Sequence, residues 1–85
     1  MADVCSVQVR YFAAAAEAAG RTDETVELAA GTDLAGLRSL LAARYGSRME
    51  QILGVSAYIV DSELTRDLAR GVGDRVDVLP PFAGG

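Results

Sequence analysis

The residues of this 85-residue sequence best suited to chemistry stand at its end, Pro80-Pro81-Phe82-Ala83-Gly84-Gly85. Two prolines favour an extended, stiff start of about 3.1 Å per residue, so six residues reach roughly 15–20 Å. Gly84 and Gly85 carry no Cβ and thread where any other residue would clash. An α-carboxylate on Gly85 has a reference pKa of about 3.3–3.7 and is ionised at neutral pH. A carboxylate is a poor electrophile; joined to AMP as a mixed anhydride, it becomes a good one. A stiff base, an apolar Phe82, bare glycine and an acyl group together suit delivery of a carboxyl group into another protein's site. Chain ends ordinarily fray, and composition alone does not choose between a carrier tail and a frayed end.

Other chemistry is removed by what the chain lacks. It has no His, Lys, Asn or Trp, one Cys, and eight cations that are all Arg. Without His, Ser–His and Cys–His catalysis cannot be assembled within the chain, and the usual zinc and copper ligand sets are missing. Cys5 has no disulfide partner, which fits a reducing, cytoplasmic compartment. A net charge of −4 repels phosphate backbones, so nucleic acid is not an expected partner. No apolar run approaches the roughly 18–20 residues of a membrane span, and no signal-peptide pattern opens the chain. The length supports one small domain, too small for a scaffold plus an enclosed substrate pocket. The expectation is a partner of enzymes, with no stably bound metal or cofactor.

The elements that must position the tail follow from periodicity. Val4–Phe12 alternates, with Cys5, Val7, Val9 and Tyr11 on one face, and predicts a strand with one buried side. Cys5 is read as a small core hydrophobe. Ala13–Ala19 predicts a short helix closed by Gly20, and Thr25–Leu28 a second strand. The main helix starts at Thr32 or Asp33, either able to N-cap. It runs to about Tyr45 with Leu34, Leu37, Leu41 and Tyr45 in one stripe, and a close approach to the sheet would explain Gly36. Met49, Ile52 and Leu53 suggest one further helical turn. Ser56–Val60 predicts a third strand, Asp61-Ser62 a turn, Leu64-Thr65 a brief fourth strand, and Val76–Leu79 the last. Pro80-Pro81 ends strand pairing for lack of N–H donors. This α+β order, a small sheet under one main helix, places the first and last strands side by side in the middle. It divides the chain into a body, 1–79, and a flexible tail, 80–85.

Gly73-Asp74-Arg75-Val76-Asp77-Val78-Leu79-Pro80-Pro81-Phe82-Ala83-Gly84-Gly85 resembles the ending of the MoaD/ThiS sulfur carriers: Gly-Asp, a strand, then Pro-Pro-x-x-Gly-Gly. Val9-Arg10-Tyr11-Phe12-Ala13, with Glu17 and Gly20, is similar to that family's opening. The likeness is greatest to its molybdopterin synthase small subunits. Two departures concern local loops: Asp61 stands where Asn is usual, and Arg70-Gly71-Val72 lengthens the approach to Gly73. The resemblance implies a ubiquitin-like β-grasp fold and a chain that is not catalytic alone but serves as the sulfur-donating subunit. It implies that Gly85 is adenylated with ATP by a ubiquitin-activating-enzyme-like adenylyltransferase, then thiocarboxylated from a sulfur donor protein. The tail, Pro80, Pro81, Ala83 and Gly84, would insert into the large subunit of molybdopterin synthase, with Phe82, Leu79 and Val78 binding that partner. Thiamine or cysteine synthesis as the sulfur's destination, and a ubiquitin-like protein modifier, are the alternatives.

Elsewhere, Phe12, if exposed, could help dock a partner. Asp61, Glu63, Asp67, Asp74 and Asp77 form either an acidic partner-facing edge or a solvated face interleaved with Arg66, Arg70 and Arg75.

Overall fold

The computed structural model describes residues 3–81. Its elements are β1 (Val4–Tyr11), α1 (Ala13–Ala19), β2 (Asp23–Ala29), α2 (Leu34–Tyr45), α3 (Ser47–Val55), β3 (Ala57–Val60), β4 (Glu63–Thr65) and β5 (Arg75–Leu79). The strands form one mixed sheet in the order β2-β1-β5-β3-β4. β1 and β5 run parallel at its centre, with Tyr11 opposite Val78, and every other pairing is antiparallel. This is the β-grasp arrangement, with the first and last strands adjacent as their Val alternation predicts.

One face of the sheet is dry. Val7, Val9, Tyr11, Val26, Tyr58, Val60, Val76 and Val78 pack with Leu34, Leu37 and Leu41 of α2, Met49 and Leu53 of α3, and Ala15 of α1. The helical layer is thus three helices rather than one. α3 is a full nine-residue helix, longer than the single turn expected, because its C-terminal carbonyls find side-chain donors. Ser56 Oγ donates to the Ile52 carbonyl at 2.7 Å and Tyr58 Oη to the Leu53 carbonyl at 2.8 Å. Such donors satisfy orphan groups that otherwise fray a helix end.

Asp33 rather than Thr32 caps α2, its carboxylate accepting from the Gly36 N–H at 2.9 Å. The next free N–H groups are taken by the loop before β5: Leu34 N–H donates to the Arg70 carbonyl and Ala35 N–H to that of Leu68. That loop is thereby tied to the start of the helix. Gly36 is explained locally, not by the sheet: a Cβ there would lie 2.6 Å from Thr32 Cγ2. β1 stops at Tyr11, one residue early, because Phe12 already serves as the N-cap position of α1.

Cys5 is a correction. It keeps the phase of Val7 and Val9 but is exposed. β5 pairs with β1 only over Gln8–Tyr11, so at Cys5 the strand has a neighbour on one side alone. Alternation assigns a face; it does not say how far along the strand the cover extends.

One polar cluster fastens the layers together. Glu24 Oε2 accepts from both Tyr11 Oη and Tyr45 Oη, and Oε1 accepts from Arg44 at 2.9 Å, with Arg21 3.6 Å away. The two tyrosine rings meet edge to face at 6.2 Å. Burial alone would raise the Glu24 pKa, but the tyrosine hydrogen bonds and the Arg44 and Arg21 charges outweigh it and hold the carboxyl below its ordinary 4.5. Burial, then the bond to Glu24, pushes both tyrosine hydroxyls upward. A lowered carboxyl pKa gives stability that is complete above the unfolded value and is lost as pH falls through the folded one. Raised tyrosine values give stability present below about pH 10 and lost as pH climbs beyond it. Denaturant midpoints should therefore fall on the acid side, below about pH 4.5, and Glu24→Gln should flatten that acid slope while lowering stability at neutral pH. An unchanged acid slope in the variant would exclude the cluster as its source.

Candidate functional site

β5 is the middle strand of the five, so whatever follows Leu79 leaves from the centre of the sheet's end. Pairing stops there: Leu79 is opposite Ala57, and the next two residues, both prolines, have no N–H to offer a ladder. Pro80 is half-buried and Pro81 exposed. Phe82, Ala83, Gly84 and Gly85 lie outside the described residues.

The partner-binding expectations at the tail's root separate. Leu79 is half-buried on the outer face. Val78 points the other way and is 0% exposed, because successive strand residues alternate. Its side chain is core and is not presented to a partner.

The outer face carries the surface a partner could use. Pairing aligns Arg10 with Asp77, Asp77 with Ile59, and Ile59 with Leu64, a row that crosses four strands. Leu64 is 68% exposed, a conspicuous apolar side chain. Phe12, half-buried, follows the Tyr11–Val78 pair and thus neighbours Leu79; the Arg10 guanidinium lies 5.3 Å from its ring centre. Leu64 was not singled out by sequence reasoning. Its signal is weak, since three residues hold too little alternation to assign a face. What aims it outward is the turn: Asp61 and Ser62 both take positive φ, 52° and 67°, as a tight two-residue hairpin requires.

Acidic residues border this surface. Asp61, Asp74 and Asp77 line a shallow hollow with Ser62, Ile59 and Arg75. Gly73 belongs to its construction, since a Cβ there would lie 2.6 Å from Asp61 Oδ1 and would push that carboxylate aside. Arg70 reaches Glu63 at 3.2 Å and Asp61 at 3.8 Å, and Arg10 Nε approaches Asp77 at 3.7 Å. The edge is therefore interleaved with arginine at Glu63 and more nearly acidic within the hollow. Among the described residues, no group of three His, Cys, Asp or Glu could hold a metal ion. Nor is any described helix long and apolar enough to cross a membrane.

The outer-face row ends in the exposed Leu64, the last strand is the middle one of the sheet, and residues 9–85 match the model of the ThiS family. The chain belongs to the ThiS family. Within reach of this ThiS-family chain is the molybdopterin synthase sulfur carrier subunit of Caenorhabditis briggsae, 34% identical over 83 residues, covering 94% of this chain and 98% of that protein. Subunit 1 in the complex of subunits 1 and 2 of molybdopterin-converting factor from Helicobacter pylori offers a structural match. The pair is 26% identical with a TM-score of 0.63, over 94% of this chain and 99% of the other. The modifier SAMP1 from Haloferax volcanii has the same fold, with a TM-score of 0.77 at 20% identity over 94% of this chain and 99% of its own.

Proposed function

We propose that this chain is the sulfur-carrying small subunit of molybdopterin synthase. The observation that carries the reading is its similarity, over 94% of its length, to a molybdopterin synthase sulfur carrier subunit, 34% identical over 83 residues. In this reading the chain has two parts, a β-grasp body over 1–79 and a tail over 80–85, and Gly85 is the reacting residue. An adenylyltransferase joins the Gly85 carboxylate to AMP from ATP and releases pyrophosphate. A sulfide equivalent from a donor protein then displaces AMP and leaves a thiocarboxylate. Transfer of that sulfur to the pterin precursor, with water supplying the replacing oxygen, restores the carboxylate. The tail, Pro80, Pro81, Phe82, Ala83 and Gly84, carries the acyl group into the large subunit. The chain has no His or Lys, so in this reading the general acid and base for these steps belong to the partners. A single Cys without a disulfide partner accords with the cytoplasm.

Intact mass of the protein purified from cells tests this reading. A species with one sulfur in place of one terminal oxygen is expected, together with sulfur-dependent product formation when the large subunit is added. Its absence where activating enzyme and sulfur source are present would overturn the proposal.

The body would dock through the outer face. A leucine fully buried at an interface contributes about 1.5–3 kcal/mol. Leu64→Ala, at a site 68% exposed in the free chain, should weaken large-subunit binding roughly tenfold without altering the melting temperature. Equal dissociation constants for the two proteins would remove Leu64 from the interface; Phe82→Ala applies the same measurement to the tail.

A further inference from the structure

Asp77 is the polar exception on the outer face. It occupies the central strand between Arg10 and Ile59, with its side chain only 13% exposed. Its Oδ1 is shut off from solvent and accepts no hydrogen bond among the described residues. The nearby cation, Arg10 Nε, is 3.7 Å distant, beyond hydrogen-bond reach. That guanidinium is shared with the Phe12 ring. The hollow beside Asp77 holds two more carboxylates, Asp61 and Asp74, against one arginine, Arg75.

From this geometry we infer that the part of the Asp77 side chain still exposed receives one arginine or lysine side chain projected by the large subunit as it covers the outer face. The inference rests on the docking reading above and adds the chemistry that the partner must present. A protein laid over Leu64, Ile59 and Leu79 strips water from the part of the Asp77 carboxylate still exposed. A carboxylate sealed in an apolar interface without a donor is strongly unfavourable. Arg10 does not meet that need in the free chain, because its distance and its contact with Phe12 hold it off. A guanidinium or ammonium from the partner would supply charge-assisted hydrogen bonds, and Asp61 and Asp74 add to the field that draws it in. A surface offering an acid at that point would be repelled, so Asp77 acts as a specificity residue.

A purely structural role makes the opposite prediction for stability. An acceptor without a donor does not strengthen the free fold, so Asp77→Asn should melt at the wild-type temperature or higher. Wild type and Asp77→Asn are titrated calorimetrically with the cognate large subunit at low and moderate salt, and each is melted alone. The expected result is binding weakened tenfold or more, a shallower salt dependence, and an undiminished melting temperature. Binding as tight as wild type overturns the inference and leaves the docking reading standing. A melting temperature that falls along with affinity also overturns it, since Asp77 would then act through the fold. Failure of the wild type itself to bind rejects the docking reading and this inference together.

Discussion

A protein with one alanine appended after Gly85 is expected to fold and to bind its partners, yet neither to be adenylated nor to acquire sulfur. The addition keeps a terminal carboxylate but moves the reacting carbonyl by about 3.5 Å. It also places a Cβ where the tail otherwise ends in two glycines. Misplacement of a reacting atom by about 1 Å can already cost about 10²-fold, so at least that loss is expected in pyrophosphate exchange with the activating enzyme. The body is untouched, because β5 ends at Leu79 and the change comes after Gly85, six residues further on. The melting temperature and large-subunit affinity are therefore the internal controls. Normal exchange and normal molybdopterin formation by the extended protein would refute terminal-acyl chemistry at Gly85.

The largest effect on stability should come from Leu41→Ala. Leu41 is 0% exposed and belongs to the stripe of α2 that packs with Val7 and Val9 in the core. Removing three buried carbons loses their transfer free energy and leaves a cavity, together about 2–5 kcal/mol. Small domains are commonly stable by only about 5–15 kcal/mol, so the denaturant midpoint should drop sharply, with much of the protein unfolding at modest denaturant. A midpoint within error of wild type would mean that this helix face does not carry the core.

Much of the architecture was legible in the sequence because its signals are local and periodic. Val at alternate positions in β1 and β5 marked two central strands. The Leu34–Leu37–Leu41 stripe marked the main helix, and Thr32-Asp33 marked its start, between which the structure chose Asp33. α3 was underestimated because its C-terminal support comes from Ser56 and Tyr58, which lie beyond it in the chain. At the candidate site, the end of β5 at Leu79 and the proline stop after it were readable. Val78 is close to the tail in sequence, but its strand phase turns it into the core.

By itself the sequence determined the terminal motif, the order of elements and the absence of His and Lys. Those properties depend on residue identity and short-range spacing. Tertiary structure alone decided what depends on distant residues meeting. Glu24 gathers Tyr11, Tyr45 and Arg44 across separations of 13, 21 and 20 residues, which no periodicity announces. Cys5 is exposed because β5 does not extend beside it. Leu64 faces outward because the Asp61-Ser62 turn sets the register of a strand too short to show one. Asp77 meets Arg10 only because two strands from opposite ends of the chain lie parallel, and their spacing leaves that carboxylate short of a hydrogen bond.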